Sequence, residues 1–320
     1  MNITRGLPSR SVPFDPVLTI GNFDGQHLGH QTLIRKVVQR AAEIGGIPMV
    51  LTFDPHPIEV LRPGSIHNYL SDPSEREEFF DRFGIAELII LSFTAELASL
   101  LPAQFVEIVL QEGLGIRKLL VGENFVFGKG RSGDIRTLIS LGERARFTVE
   151  PIPPVVLGHD TVSSTRIRKC LGTGNVREAA QCLGRPYQLR GTVIQGAGRG
   201  AKLGWPTANI RLPLHRVFPA DGIYATRAVV DGEAKLSISY IGRRPTFQES
   251  ERFLEVHIFD QEVSLYGKYV TVEFIDHVRS DRAFATVEDL LAQMERDGER
   301  ARTILAKSEF TCSLIGENSF

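Results

Sequence analysis

The hydrophobic pattern of the sequence changes near residue 184, and this change limits the fold more than any other feature. From about residue 17 to 160, apolar runs such as Val17–Ile20 and Met49–Phe53 alternate with amphipathic stretches such as Thr32–Ile44. This alternation is typical of βαβ units around a parallel sheet. After Gly184 the apolar residues follow a period of two, which predicts an antiparallel barrel or sandwich.

A chain of 320 residues has room for two domains of ordinary size. We therefore predict an α/β domain over residues 1–184, which ends in a helix-like stretch, Ser164–Leu183, and a strand-rich domain over residues 185–320. The segment Val287–Lys307 spaces apolar residues among charges and predicts a helix packed on the strands. The predicted strands are Tyr187–Val193, Gly222–Val230, Lys235–Ile241, Phe253–Phe259 and Tyr269–Ile275.

Charge and cysteine content restrict the partners and the compartment. Lys plus Arg number 37 and Asp plus Glu 38, so no basic field favours nucleic acid or an anionic membrane as a partner. The three cysteines form no CxxC pair, and the apolar runs are far shorter than a membrane span. We expect a cytoplasmic protein without nucleic-acid or membrane partners, either a monomer or a weak homo-oligomer.

The segment from Val17 to His30 reads VLTIGNFDGQHLGH, in which an apolar strand enters a glycine-containing turn and then a helix. Gly21 and Gly25 allow the backbone to approach a ligand, and a helix start favours negative charge. His27 and His30 are three residues apart, so both rings can meet the same phosphates and stabilise a transferring phosphoryl group. The alternative is that HxxH is a metal pair or two surface histidines.

A second segment, Ser163–Arg168, reads SSTRIR and precedes a helix-like stretch. Its hydroxyls can cap that helix, and the guanidinium groups of Arg166 and Arg168 can grip the phosphates of a nucleotide. The alternative is a simple helix cap without a ligand.

These segments occur in order with TFDPHP (Thr52–Pro57) and VGENFVFGKGRSGD (Val121–Asp134). Together, over about residues 15–183, they resemble the FMN adenylyltransferase module of prokaryotic FAD synthetases, which belongs to the Rossmann-like HxGH nucleotidyltransferase superfamily. The resemblance implies that His27 and His30 bind ATP phosphates and stabilise the transition state. It also implies a catalytic role for Arg168. The nucleotide-binding residues that we expect are Gly21, Asn22, Phe23, Asp24, Gly25, Ser163, Ser164 and Thr165. In the same way Asn124 resembles the flavin contact of the family, and Phe125 and Phe127 pack either beside the isoalloxazine ring or in the core.

The second half carries a glycine-rich segment over residues 191–209, GTVIQGAGRGAKLGWPTAN. Thr207 and Asn209 offer a hydroxyl and an amide oxygen on one face, which suits a hard cation such as Mg²⁺. Downstream, Glu255 and His257 share a face of a strand, and a carboxylate there can act as a general base. The alternatives are an ordinary glycine-rich hairpin and an exposed strand glutamate.

Five segments of this half, LGWPTANI, PADGIYAT, IGRRPTF, LEVHIFD and LYGKYVTVEF, resemble the riboflavin kinase module over about residues 185–307. The resemblance implies a six-stranded Greek-key barrel with a C-terminal helix. It further implies that Thr207 and Asn209 hold MgATP, that Glu255 activates the ribityl 5′-hydroxyl, and that Arg279 lies near the flavin. Tyr240 departs from the family, which usually has asparagine there.

The sequence therefore predicts two transfers, from riboflavin and ATP to FMN, and from FMN and ATP to FAD and pyrophosphate, with Mg²⁺ as cofactor. One alternative is a single adenylyl- or cytidylyltransferase whose barrel only holds a ligand; loss of Thr207, Asn209 or Glu255 would have favoured it, and all three are present. Another alternative is a flavin-binding regulator with RNA as its partner, because barrels also bind oligonucleotides.

Overall fold

The computed structural model describes residues 1–8, 15–196, 200, 204–244, 251–261 and 265–308. The chain divides into two compact units, Met1–Ser164 and Thr165–Phe320. The boundary that the sequence predicts after Gly184 stays a prediction. Within the described residues, no helix combines the length and the apolar character that crossing a membrane requires.

The first unit contains a six-stranded sheet in which every pair of neighbours is parallel, as the sequence predicts. Its strands are β1 (Asn2–Arg5), β2 (Pro16–Ile20), β3 (Ile47–Asp54), β4 (Glu87–Ser92), β5 (Lys118–Gly122) and β6 (Thr148–Ile152). The order across the sheet is β1-β4-β3-β2-β5-β6, so the direction of winding reverses between β2 and β5. Open α/β sheets bind ligands in the crevice at such a reversal, beyond the carboxyl ends of the strands.

Helices cover both faces of this sheet, each over its own cluster of buried apolar side chains. The helices are α1 (Leu28–Ile44), α2 (Pro57–Leu61), α3 (Pro73–Arg82), α4 (Ala95–Ser99), α5 (Pro102–Phe105), which continues as a π-helix (Val106–Gly113), and α6 (Ile135–Arg144). A 3₁₀ turn (Lys129–Arg131) and a small hairpin of β7 (Val156–Leu157) and β8 (Asp160–Thr161) complete the unit. Helix α1 stops at Gly45, whose φ of 64° only glycine adopts at little cost.

The stretch Ser164–Leu183, which the sequence predicts as one helix-like segment, forms two helices. They are α7 (Ser164–Gly172) and α8 (Val176–Leu183). Gly174 between them has a φ of 78°, which breaks the helix. Asn175 then caps α8 by accepting the backbone N–H of Glu178 at 3.1 Å.

The second unit contains a closed six-stranded antiparallel barrel, and this confirms the predicted fold of the second half. Its strands are β9 (Tyr187–Ile194), β10 (Ala208–Arg211), β11 (Gly222–Val230), β12 (Glu233–Arg244), β13 (Glu251–Ile258) and β14 (Tyr269–Ser280). Three consecutive strands, β11, β12 and β13, pair in turn, and β14 returns to lie beside β11. This is the Greek-key order. Strand β10 was not among the predicted strands.

The predicted C-terminal helix is present as α9 (Val287–Lys307). Ala301 and Leu305 of this helix pack on barrel residues that include Ala225, Ile238 and Ile275. The helix therefore covers one part of the outer face of the barrel. Thr286 caps its start by accepting the backbone N–H of Asp289 at 3.1 Å.

Candidate active sites

The turn after β2 carries the first candidate site, and its backbone requires glycine at one position. Gly21 donates its N–H to the carbonyl of Leu51 at 3.1 Å, so the turn begins against β3. Phe23 and Gly25 have positive φ values of 50° and 84°. A Cβ atom on Gly25 would lie 2.9 Å from Cδ1 of Leu70, so both the dihedral angle and the space demand glycine.

Asp24 is a buried carboxylate, only 3% exposed, that braces this turn. It accepts the backbone N–H groups of Leu70 at 2.9 Å and Ser71 at 3.1 Å. The Ser71 hydroxyl accepts the N–H of Gly25 at 3.0 Å and the side-chain amide of Gln26 at 2.6 Å. These bonds tie the turn to the loop before α3. A direct nucleotide contact by Asp24 stays a prediction.

The first residues of α1 bring the two histidines of the HxGH motif together. His27 is the N-cap, and its Nδ1 accepts the backbone N–H of His30 at 3.4 Å. The two rings stack with centroids 3.6 Å apart and planes 18° apart. Because Nδ1 of His27 accepts this bond, a proton on the ring lies on Nε2.

His30 is a neutral imidazole in this environment. Burial, and secondarily the nearby His27, hold the pKa of His30 well below its usual value of 6.5. Its Nδ1 atom is buried and has no hydrogen-bond partner among the described residues. An unpaired buried polar atom beside a helix start is suited to a hydrogen bond with an anionic ligand.

The SSTRIR segment meets the turn through Ser164, whose hydroxyl donates to the backbone carbonyl of Asp24 at 2.8 Å. Arg166 pairs with Glu178 at 2.9 Å, so its guanidinium is already engaged by a carboxylate. Three further predicted phosphate ligands have exposed or partly buried side chains: Ser163, Thr165 and Arg168. Their phosphate contacts stay predictions.

Asn22 and Asn124 each lie two residues beyond the ends of neighbouring parallel strands, β2 and β5. Both therefore lie at the edge of the sheet where the winding reverses. Phe125 is partly buried, and its ring stacks on that of Phe127 with centroids 5.8 Å apart. Phe127 is 7% exposed and packs near Phe105 in the core. Phe127 thus belongs to the core cluster and Phe125 packs against it, and a contact of either ring with the flavin stays a prediction.

The sequence did not predict a cluster of rings that begins in the TFDPHP motif. His56 caps α2 and stacks on His67 with centroids 4.0 Å apart. His67 in turn meets the ring of Tyr69 edge-on at 4.7 Å, and the Tyr69 hydroxyl bonds to Glu59. Burial raises the pKa of Tyr69, so its hydroxyl stays protonated. His67 and Tyr69 lie between α2 and α3, in a segment whose sequence has no periodic pattern, so this cluster could not be predicted. Of its residues, only His56 lies in a motif, TFDPHP.

The second candidate site lies on the barrel, where five strands each place one side chain in a row. Asn209 pairs with Glu255, Glu255 with Tyr240, Tyr240 with Ile223, and Ile223 with Arg279. Directly opposite residues of antiparallel strands project on the same face. The fold thus brings three predicted site residues, Asn209, Glu255 and Arg279, onto one surface.

A cavity of about 310 Å³ lies between this row and α9. Four predicted or noted residues line its barrel side: Thr207, Tyr240, Glu255 and Arg279. Other residues complete it from β13, α9 and the segments before β10 and α9: Trp205, His257, Asp281, Arg282, Phe284, Leu290, Met294 and Asp297. The contribution of α9 and of the segment before it was not predicted. The one visible signal was Phe284, a lone aromatic residue in the polar stretch 280–289.

Two glycines of the flap come very close to the predicted metal-nucleotide residues. A Cβ atom on Gly196 would overlap Nδ2 of Asn209. A Cβ atom on Gly200 would overlap the Trp205 carbonyl and lie 3.2 Å from the Thr207 hydroxyl. The glycines therefore let the flap backbone pass directly beside both side chains. Residues 197–199 and 201–203 of the flap lie outside the described residues.

Tyr240 closes one side of the cavity. Its hydroxyl donates to Oδ2 of Asp281 at 3.1 Å, and its ring meets Phe253 edge-on at 5.5 Å. Burial, and then the charge of Asp281, raise the pKa of Tyr240 to about 12. The phenol therefore remains a neutral hydrogen-bond donor next to Glu255.

Comparison with known proteins finds matches for both halves of the chain. The FAD synthetase family model matches residues 10–166, and the riboflavin kinase model matches residues 183–305. A protein from Pseudomonas fluorescens named bifunctional riboflavin kinase/FMN adenylyltransferase is 36% identical over 96% of this chain and 99% of its own length. A protein of the same name from Listeria monocytogenes is 35% identical over 92% of this chain and 93% of its own.

A solved structure from Streptococcus pneumoniae, described as a macrolide-efflux protein, has the same fold with a TM-score of 0.87. It is 31% identical and covers 94% of this chain and 98% of its own length. The two family models together match most of the chain, and full-length relatives share more than 30% of its residues. The chain therefore belongs to the family of bifunctional riboflavin kinase/FMN adenylyltransferases.

Proposed function

We propose that this chain phosphorylates riboflavin to FMN on its barrel and adenylylates FMN to FAD at the turn after β2, with ATP as co-substrate of both reactions. The observation that carries the proposal is that each site has the side chains its own reaction needs. His27 and His30 meet at a helix start, and Glu255 stands in a row with Asn209. The family models assign the same two activities to the same two parts of the chain. We place the boundary between the two functional domains after Gly184.

In the kinase reaction, Glu255 takes the proton of the riboflavin 5′-hydroxyl while the oxygen attacks the γ-phosphorus of ATP. The bond between that phosphorus and the β–γ bridging oxygen breaks, and ADP leaves. Glu255 is one strand spacing, about 4.8 Å, from Asn209, so the base lies next to the phosphate-binding end. The glycines of the flap bring backbone close to the same end.

Thr207 and Asn209 fit Mg²⁺ because both offer oxygen, the donor that this ion prefers. Among the described residues there is no group of three or more His, Cys, Asp or Glu that could hold a metal by itself. Magnesium in kinases typically takes one or two protein oxygens and completes its shell with phosphates and water. When it is bound together with ATP, Mg²⁺ would neutralise part of the negative charge of the phosphates.

In the adenylyl transfer, a phosphate oxygen of FMN attacks the α-phosphorus of ATP, and pyrophosphate leaves. The chain contributes position and hydrogen bonds, since the reaction needs no covalent intermediate on the protein. His27 supplies an Nε2–H donor, and His30 supplies a neutral ring at the helix start. Ser163, Ser164, Thr165 and Arg168 complete the phosphate grip, and Asn124 with Phe125 faces the flavin.

The proposal includes a cytoplasmic setting, small-molecule substrates without nucleic acid, and a monomeric or weakly associating chain. The balanced charge argues against a nucleic-acid partner, and the cysteine pattern supports the cytoplasmic setting. The efflux description of the Streptococcus pneumoniae protein does not lead to a second proposal. The predicted site residues that the fold brings together all suit phosphoryl or nucleotidyl transfer.

Incubation of the purified chain with riboflavin, ATP and Mg²⁺, followed by chromatography of the flavins over time, tests this proposal. We expect FMN to rise and then give way to FAD. Glu255→Gln should abolish FMN formation and leave the conversion of supplied FMN to FAD intact. His30→Ala should do the reverse.

Two conservative controls separate these effects from general damage. Glu233→Gln changes an exposed glutamate of the same barrel, and His159→Ala changes an exposed histidine of the first unit. Both should retain both activities. If a folded Glu255→Gln or His30→Ala chain lost both activities, the assignment of one reaction to each site would be wrong. If the unmodified chain left riboflavin untouched but used supplied FMN, the single-transferase alternative would hold.

A further inference from the structure

The cavity on the barrel contains a buried charge that the proposed reaction does not use. Asp297 on α9 is 4% exposed. Its Oδ2 accepts Nε–H of Arg279 at 2.7 Å, and its Oδ1 accepts the side-chain amide of Gln293 at 2.7 Å. Removing a carboxylate from water is costly, and a buried ion pair is seldom more stabilising than apolar packing. A role in arranging Arg279 explains its presence better than a role in stability.

Asp297 and Gln293 each bind one of two arginines, and both arginines lie against the ring of Phe284. Gln293 precedes Asp297 by one helical turn, and its Oε1 accepts Nη2–H of Arg282 at 2.6 Å. The guanidinium carbons of Arg279 and Arg282 lie 5.5 Å and 4.7 Å from the centre of the Phe284 ring. Asp297 and Gln293 thereby fix one wall of the cavity, which consists of Arg279, Arg282 and Phe284.

The position of this wall along the row of strands matches one substrate. Arg279 and Glu255 are three strand spacings apart, which is about 14 Å along the curved surface of the barrel at about 4.8 Å per spacing. In riboflavin the reactive hydroxyl lies at the end of a five-carbon chain, away from the planar ring. With the hydroxyl at Glu255, the ring therefore reaches the end of the cavity that Arg279 and Phe284 form.

We propose that Asp297 is a positioning residue of the kinase site: it orients Arg279 against Phe284 so that the two form a preformed wall for the isoalloxazine ring of riboflavin. This inference rests on the proposed kinase function. Asp297 lines the cavity beside Arg279, and we assign its effect to the ion pair with Arg279. It lowers the cost of binding riboflavin because the wall is ordered before the substrate arrives.

The test measures initial rates of FMN formation by Asp297→Asn. We expect the KM for riboflavin to rise about tenfold, which is the effect of losing one hydrogen bond between charged groups. The kcat, the KM for MgATP and the conversion of supplied FMN to FAD should each change less than about twofold. Glu295→Gln, an exposed residue of the same helix, is the matched control and should leave all values unchanged.

A double-mutant cycle separates positioning from a structural role. If Asp297 acts through Arg279, Asp297→Asn and Arg279→Gln together should raise the KM for riboflavin no more than Arg279→Gln alone. Multiplied effects, or a parallel loss in kcat and in the KM for MgATP, would overturn the inference. So would a KM for riboflavin that Asp297→Asn leaves unchanged in a chain that forms FMN.

A second variant keeps the inference testable if Asp297→Asn does not fold. Arg279→Lys retains a cation beside the buried carboxylate and loses only the fixed fork of the guanidinium. It should also raise the KM for riboflavin about tenfold, and quenching of riboflavin fluorescence without ATP should show the same weakening. If the unmodified chain forms no FMN at all, the proposed kinase function is wrong. If the chain forms FMN and the variants have the same KM for riboflavin as the unmodified chain, only the role of Asp297 is wrong.

Discussion

Replacing Asp24 with alanine removes a buried carboxylate that joins the turn after β2 to the loop around Leu70. The N–H groups of Leu70 and Ser71, now 2.9 and 3.1 Å from that carboxylate, lose their acceptor inside the protein. Each buried donor left unpaired costs about 1–3 kcal/mol, so with partial relaxation we expect a loss of about 3–4 kcal/mol in the free energy of unfolding. Asp24→Asn keeps one acceptor oxygen and should cost about 1 kcal/mol.

Urea unfolding followed by circular dichroism and by tryptophan fluorescence measures this loss. The chain has one tryptophan, Trp205, which lies in the second unit, so fluorescence reports on that unit while circular dichroism reports on both. With a slope of about 2 kcal/mol per molar urea, Asp24→Ala should lower the midpoint of the dichroism transition by about 1.5–2 M. Asp81→Ala, an exposed aspartate of the same unit, should shift it by less than about 0.3 M.

A shift for Asp24→Ala no larger than that of Asp81→Ala would refute the assignment of Asp24 as a brace. The rate of FAD synthesis distinguishes the brace from a ligand contact. As a brace, Asp24→Asn should keep most of this rate, because the turn retains its main bonds. A stable Asp24→Asn chain that made no FAD from FMN would show that the charge itself meets the nucleotide.

Three further outcomes follow from the packing and charges of the two units. Gly196→Ala would place a Cβ atom on top of Nδ2 of Asn209. The KM for MgATP in FMN formation should therefore rise at least several-fold while FAD synthesis from FMN continues. Unchanged kinase kinetics would contradict this placement. Phe80→Ala removes a fully buried ring that meets Phe23 edge-on at 5.3 Å, and should cost about 3–5 kcal/mol in urea unfolding, whereas a loss below about 1 kcal/mol would contradict its place in the core. The folded-state pKa of His30 lies below its usual 6.5, so the unfolded chain binds the proton first and stability is complete above about pH 6.5 and falls below it. His30→Gln should therefore flatten the fall in the urea midpoint between about pH 6.5 and 5, and an equally steep fall in this variant would show that other groups cause it.

Local sequence patterns predicted those strands in which apolar alternation runs between two clear stops. The predicted and observed bounds of Gly222–Val230 coincide because Asp221 and Asp231 stand at the two ends of a mostly apolar run. Strand β10 has four residues directly after Pro206-Thr207, too few to show a period. β12 and β14 extend beyond their predicted ends because pairing with neighbouring strands continues there, which a single strand cannot reveal.

The motifs indicated individual site residues, but the partners of those residues depend on the register of distant strands. The row that joins Glu255 to Arg279 crosses three pairs of strands, and the last pair contains two shifts in register. A slip of one residue in any pair would turn Arg279 to the other face. Short-range patterns do not define such shifts. The sequence could therefore indicate Arg279 near the flavin only through the resemblance.

Asp297 shows how far a sequence can point to a partner. Leu290, Met294, Ala301 and Leu305 recur at helical spacing along α9, and Asp297 occupies the position between Met294 and Ala301 on the same stripe. A carboxylate on the apolar side of a packed helix needs a cation or a hydrogen-bond donor as its partner, because an unpaired buried charge would strongly destabilise the packing of the helix on the barrel. The pattern thus requires a partner without identifying it. The barrel supplies Arg279 from β14, and because that residue also borders the cavity, the same contact that satisfies the buried charge fixes a side chain of the proposed riboflavin site.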